Sequence, residues 1–163
     1  MRFEQYREQF AFLRDNGITT RTDMAAFTAR TEETLANLMK QRTVLNVRRK
    51  RRRTLYTALA DAEALAPVKE LYEAGLSGME TEFAQYMDAV AALEQCGVPR
   101  EGLIQEKAEL YDRLAELNRQ IRAERRKLAL CRKTQNSLPR MEQEIDKAEA
   151  RESEVRTNEH RRR

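Results

Sequence analysis

Six consecutive cations, Arg48-Arg49-Lys50-Arg51-Arg52-Arg53, are the residues in this chain best suited to chemistry with a ligand. On a helix six successive residues turn through about 600°, so the block puts charge on every face. A packing seam does not accept that arrangement. Some of the charges must meet a neighbouring element or a ligand. One reading is contact with phosphates, through charge and through the planar forks of arginine. The other is a solvated helix whose inward arginines snorkel or pair with carboxylates on a neighbour. A nuclear-localisation reading needs a eukaryotic source, which nothing in the sequence suggests.

A second cluster, Arg119, Arg122, Arg125, Arg126 and Lys127, lies further along, with Glu116 and Glu124 close enough to neutralise part of it. The many carboxylates elsewhere fall three or four places from Lys or Arg, the spacing of ordinary helix-surface pairs. His160, the single histidine, sits in a basic tail and reads as solvated. Tyr6, Tyr56, Tyr72, Tyr86 and Tyr111 all fall at or beside apolar stripes, as seam residues do. Cys96 and Cys131 have no metal-ligand spacing and fit a reducing compartment. No phosphate loop, dinucleotide fingerprint, HExxH or GxSxG is present. The sequence therefore predicts no enzyme, no cofactor and no metal site.

The charges need long helices to carry them. Charged residues make up 36% of the 163 and aromatics 6%, with no Trp and few Gly or Pro. That composition favours helices whose apolar residues cover seams and argues against a large interior. Charge alternates along the chain. Residues 1–64 hold 13 basic and 8 acidic residues, 65–102 hold 2 and 7, and 103–163 hold 16 and 12. No apolar run is long enough to span a membrane and the start has no signal-peptide core, so a cytoplasmic chain is expected.

Phe3, Tyr6, Phe10 and Leu13 mark one face of a first helix, which Asn16-Gly17 stops. Thr20 or Thr22 caps a short second helix containing Met24 and Phe27. Thr31 then starts a long run to about Ala64, striped by Leu35, Leu38, Leu45, Leu55 and Leu59. Pro67 opens a short helix with Val68, Leu71 and Tyr72 inward, ended by Gly75. Ser77 caps another over 78–95, with Met79, Phe83, Tyr86, Met87, Val90 and Leu93 forming its face. Gly97-Val98-Pro99 ends it.

In the last long run Leu103, Leu110, Leu114, Leu117, Ile121, Leu128 and Cys131 sit near heptad a/d positions, with Lys107 and Glu124 in two of the slots. Pro139 is expected to break this run. A weaker stripe, Leu138, Met141, Ile145, Ala148 and Val155, leads into a tail expected to fray. The expectation is an all-α fold: an elongated antiparallel, coiled-coil-like hairpin of 31–64 and 103–135, each about 50 Å long. Short N-terminal helices over 1–30 and a helical tip insert over 65–102 lie at its two ends, and 136–163 form a C-terminal helix and tail. Equal lengths place residue 49 opposite about 118. The two basic clusters would then share one region, which is costly unless an anion lies between them.

Four segments carry a resemblance. They are FAFLRDNGITTRTDMAAF at 10–27, RRRTLY at 51–56, LYEAG at 71–75 running on to AALEQCG at 91–97, and the long helix ending in LCRKTQ at 130–135. Together they resemble the helical C-terminal region of relaxases, the mobilization nucleases of conjugative plasmids and integrative elements of Firmicutes type. The likeness spans roughly residues 3–138. RRKRRR replaces a mixed apolar and basic run of that family. The family's catalytic half uses a Tyr nucleophile and a three-His metal site, neither of which has a counterpart here. The resemblance implies a non-catalytic accessory region, or a stand-alone relative of one, that aids DNA engagement; the residues expected to make that contact, read from the charge pattern itself, are Arg48–Arg53 with Arg122, Arg125, Arg126 and Lys127. The resemblance also implies contacts with other conjugative-transfer proteins. The heptads leave a structural coiled coil that self-associates and touches no DNA as the alternative.

Overall fold

The computed structural model describes residues 2–161, and side chains from residue 4 onward. It holds five helices: α1 (Arg2–Asp15), α2 (Arg21–Ala64), α3 (Ala66–Glu73), α4 (Glu80–Gln95) and α5 (Arg100–Arg161). The described residues contain no strand. Gly17, Gly75 and Gly97 stop their helices with φ of +64°, +89° and +69°, a backbone region that costs other residues a Cβ clash.

The long helices extend beyond the expected ends. α2 begins at Arg21, where Thr20 Oγ1 accepts from the Asp23 amide while Asp23 Oδ2 accepts from the amides of Thr19 and Thr20. The backbone hydrogen bond from Thr19 is the main reason the Asp23 carboxyl stays below its usual 3.8, helped by the Thr19 and Thr20 side chains. The charged cap is therefore favoured above that pH and is lost as pH falls through the lowered value. Thr31 is an interior residue. Its hydroxyl donates to Phe27 O at 2.9 Å, four residues back, so it supports the turn before it instead of starting a new helix.

α5 runs through Pro139 to Arg161, against the expected break and frayed tail. Proline removes one backbone donor from a ladder that is intact on both sides, whereas stopping would require a fresh nucleus. Arg162 and Arg163 lie outside the described residues. Ser77 does not cap α4: Met79 takes that position, and Glu80 Oε1 accepts from the Gly78 amide.

The chain forms two compact units, with α2 and α5 contributing to both. The first holds Met1–Ala36 and Arg122–Arg163, the second Asn37–Ile121. In the first unit Phe12, Ile18, Met24 and Cys131 form the core, joined by Phe27 and Leu130. Phe12 meets Phe27 edge to face at 5.5 Å. Of the expected α1 face Leu13 packs against this core, whereas Phe10 is 63% exposed and Gln9 and Phe12 turn inward. The turn at Gly17 folds Ile18 back so that its amide donates to Leu13 O at 2.9 Å. Phe3 belongs to the same expected face, but its side chain lies outside the described ones.

In the second unit α2 packs against α5, and α4 packs on the pair. Tyr56, Ala58, Leu59 and Ala62 of α2 meet Leu103, Leu110 and Leu114 of α5 and Ala89 and Leu93 of α4. The pair is antiparallel: Arg42 donates to Asn118, while Arg52 and Tyr56 both reach Glu106. α3 packs on α4 through a Tyr72–Phe83 stack at 4.1 Å. Leu71 and Tyr72, expected inward, are 41% and 37% exposed.

Candidate nucleic-acid interface

The register of α2 on α5 decides what the six-cation block faces. Asn118 pairs with Arg42, two turns before residue 49. The block instead lies beside Glu106. The expected pairing of 49 with 118 took its register from helix ends that the structure moves, whereas the actual register follows the apolar seam. Arg48–Arg53 belong to the second unit and Arg122–Lys127 to the first.

The block divides by face. Arg48 and Arg52, one turn apart, both turn to Glu106 Oε1, at 3.9 and 3.2 Å. Tyr56, a further turn along, donates its hydroxyl to the same oxygen at 2.9 Å. Burial is the main cause holding the Tyr56 phenol above its ordinary 10.0, and Glu106 adds to it through the hydrogen bond and its charge. Tyr56 is therefore a neutral donor at physiological pH. Its ring lies below Lys107, whose Nζ is 5.9 Å from the ring centre, within cation–π range.

Arg49, Lys50 and Arg53 turn to the adjoining face. With Asn46 and Thr57 of α2 and Lys107 and Tyr111 of α5 they line an open groove of about 730 Å³. Four cations meet there and no carboxylate lines it. Among the described residues, Arg49, Lys50, Arg51 and Arg53 make no ion pair. Arg51 is exposed and does not line the groove. Unpaired cations at this density repel one another, and a polyanion relieves that cost. Asn46 and Thr57 add hydrogen-bonding groups, and Tyr111, 46% exposed, offers an aromatic face at the rim.

The second cluster is built differently. Arg122, Arg125, Arg126 and Lys127 are all exposed on α5. Lys127 pairs with Glu124 at 2.8 Å and Arg119 pairs with Glu116, each within one turn. Local neutralisation thus holds for those two cations. Arg122, Arg125 and Arg126 make no ion pair among the described residues.

Among the described residues no group of three or more His, Cys, Asp or Glu could hold a metal. Cys131 is buried, and Cys96 donates its thiol to Leu93 O. His160 is exposed. Among the described residues no helix is long and apolar enough to cross a membrane. Glu106, Lys107 and Tyr111 were missed in the sequence as site residues. The available signal was Lys107 itself, one of two charges, with Glu124, standing in heptad slots otherwise filled by Leu, Ile and Cys. Comparison of the chain with family models, with curated proteins and with solved structures gives no match.

Proposed function

We propose that the chain binds DNA without catalysing a reaction on it, as a helical accessory region of a relaxase-type mobilization protein. The observation that supports this most is the groove of Arg49, Lys50, Arg53 and Lys107, four cations with no lining carboxylate. Arginine forks and lysine ammonium groups would take backbone phosphates, which position a duplex without reading its sequence. The exposed Arg122, Arg125, Arg126 and Lys127 would add a looser, screened attraction. The place of the chain in mobilization rests on the segments at 10–27, 51–56, 71–97 and 130–135. Other transfer proteins would be its protein partners.

The test is a titration of a labelled duplex over about 50–200 mM salt, where each phosphate contact contributes about −0.9 to the slope of log K against log salt. Replacing Arg49, Lys50 and Arg53 by Ala should make that slope shallower by about 2.7, three contacts at 0.9 each. Binding that ignores salt, or that the triple variant leaves unchanged, sinks the reading.

One observation favours the structural alternative. Beyond Pro139, α5 carries Met141, Ile145, Ala148 and Val155 at heptad-like spacing, and Ile145 and Val155 are 56% and 57% exposed. Self-association through this stripe would give a dimer by light scattering that Ile145→Lys dissociates. A monomer that binds DNA leaves only the first reading.

A further inference from the structure

Glu106 receives more than an ordinary surface carboxylate does. Its side chain is 18% exposed, and one of its oxygens takes Arg52, Arg48 and the hydroxyl of buried Tyr56. Its neighbour Lys107 lies over the ring of that same tyrosine. Resting on the DNA-binding reading above, we propose that Glu106 is a positioning residue that divides the block. It occupies Arg48 and Arg52 as a phosphate would. It thereby leaves Arg49, Lys50 and Arg53 on the groove side, and through Tyr56 it supports Lys107 beside them.

Residues four apart on a helix share a face, so 48 and 52 go together, as do 49 and 53, about 100° round. A carboxylate accepts arginine as a phosphate oxygen does, with the advantage of being tethered. Arg48 and Arg52 therefore gain little from DNA, because each contact there must first break one with Glu106. The groove cations lose nothing equivalent. The number of phosphates engaged is set near four rather than near six, by one residue on the opposite helix.

Salt dependence reads that number directly. Two double variants remove equal charge from the same block. Arg49→Ala/Arg53→Ala should make the slope on a duplex shallower by about 1.8, two contacts at 0.9 each. Arg48→Ala/Arg52→Ala should leave it within about 0.5 of the parent value. Glu106→Gln should act in the opposite sense, steepening the slope by up to about 1.8 and tightening binding as both arginines are released. Glu109→Gln changes charge equally on the same helix, where Glu109 accepts only from Gln105, and should do neither. Helix content and melting by circular dichroism identify any variant that fails to fold. If Arg48→Ala/Arg52→Ala is that variant, the two glutamine substitutions still decide.

Equal slope losses in the two double variants overturn the division of the block and leave DNA binding standing. Equal gains in Glu106→Gln and Glu109→Gln do the same, since they reveal only bulk charge. No salt-dependent binding by the unaltered chain overturns the DNA reading itself, and this inference with it.

Discussion

The two units are built from the same two long helices, yet they pack and carry charge differently. The second buries nine apolar residues in one cluster, and one oxygen of its polar seam residue Glu106 is engaged by Tyr56 and two arginines. The first buries four, and Gln9 Oε1, Thr28 Oγ1 and Thr134 Oγ1 are all buried there without a hydrogen-bond partner. The second unit gathers its free cations in a groove, while the first spreads them along a helix surface. A polar group in a helix seam stabilises only when it is fully paired, and otherwise subtracts from what the apolar residues contribute. The second unit should therefore be the more stable of the two and the better anion site.

The largest effect should come from the larger core. Leu103 is completely buried in it, and Leu103→Ala should cost about 3 kcal/mol in denaturant unfolding. Met24→Ala, in the smaller core, should cost about 2 kcal/mol. Amide exchange should show residues 12–30 opening at lower free energy than residues 56–62. A larger loss for Met24→Ala would reverse the comparison.

Charge gives the next contrast. Arg122→Ala/Arg125→Ala/Arg126→Ala removes as much charge as Arg49→Ala/Lys50→Ala/Arg53→Ala. Its effect on the salt slope for duplex DNA should be under about 1, against about 2.7 for the groove triple. Equal effects would mean that gathering cations in a groove adds nothing to holding them on an open helix.

These contrasts mark where the sequence was legible. All seven apolar heptad residues of the last run are buried, because period alone decides which side of a helix faces its partner. The glycine stops hold because positive φ is a property of one residue and its backbone. Thr31 and Pro139 misled for a shared reason: each has a strong local preference, overridden by the cost of ending a helix that packing already supports. The pairing of the basic block could not be read, because register depends on matching two distant seams. A shift of two turns brings Glu106 beside Arg52 and leaves Arg119 to its own Glu116.

A smaller effect belongs to Gly17. Its φ of +64° lies where a Cβ is disfavoured, although nothing stands within 4 Å of the position a Cβ would take. Gly17→Ala should therefore cost about 1 kcal/mol from backbone strain alone, and Gly17→Asn less. Since this turn lies in the first unit, the loss should appear in the exchange of that unit and not of the second.

Thr134 provides the smallest and most pointed test. It is completely buried, and its hydroxyl oxygen has no partner. It also stands one place before the heptad slot at Gln135, which is exposed, so the seam steps by one residue there. Valine matches threonine in shape and β-branching, so Thr134→Val changes little except the hydroxyl. Removing a buried, unpaired hydroxyl should stabilise the first unit by about 1 kcal/mol. The same substitution should leave amide exchange at 103–117 unchanged. A loss of stability would mean that the hydroxyl is paired in solution. The first unit's seam would then be as fully satisfied as the one around Glu106, and the difference between the two units would reduce to the number of apolar residues each buries.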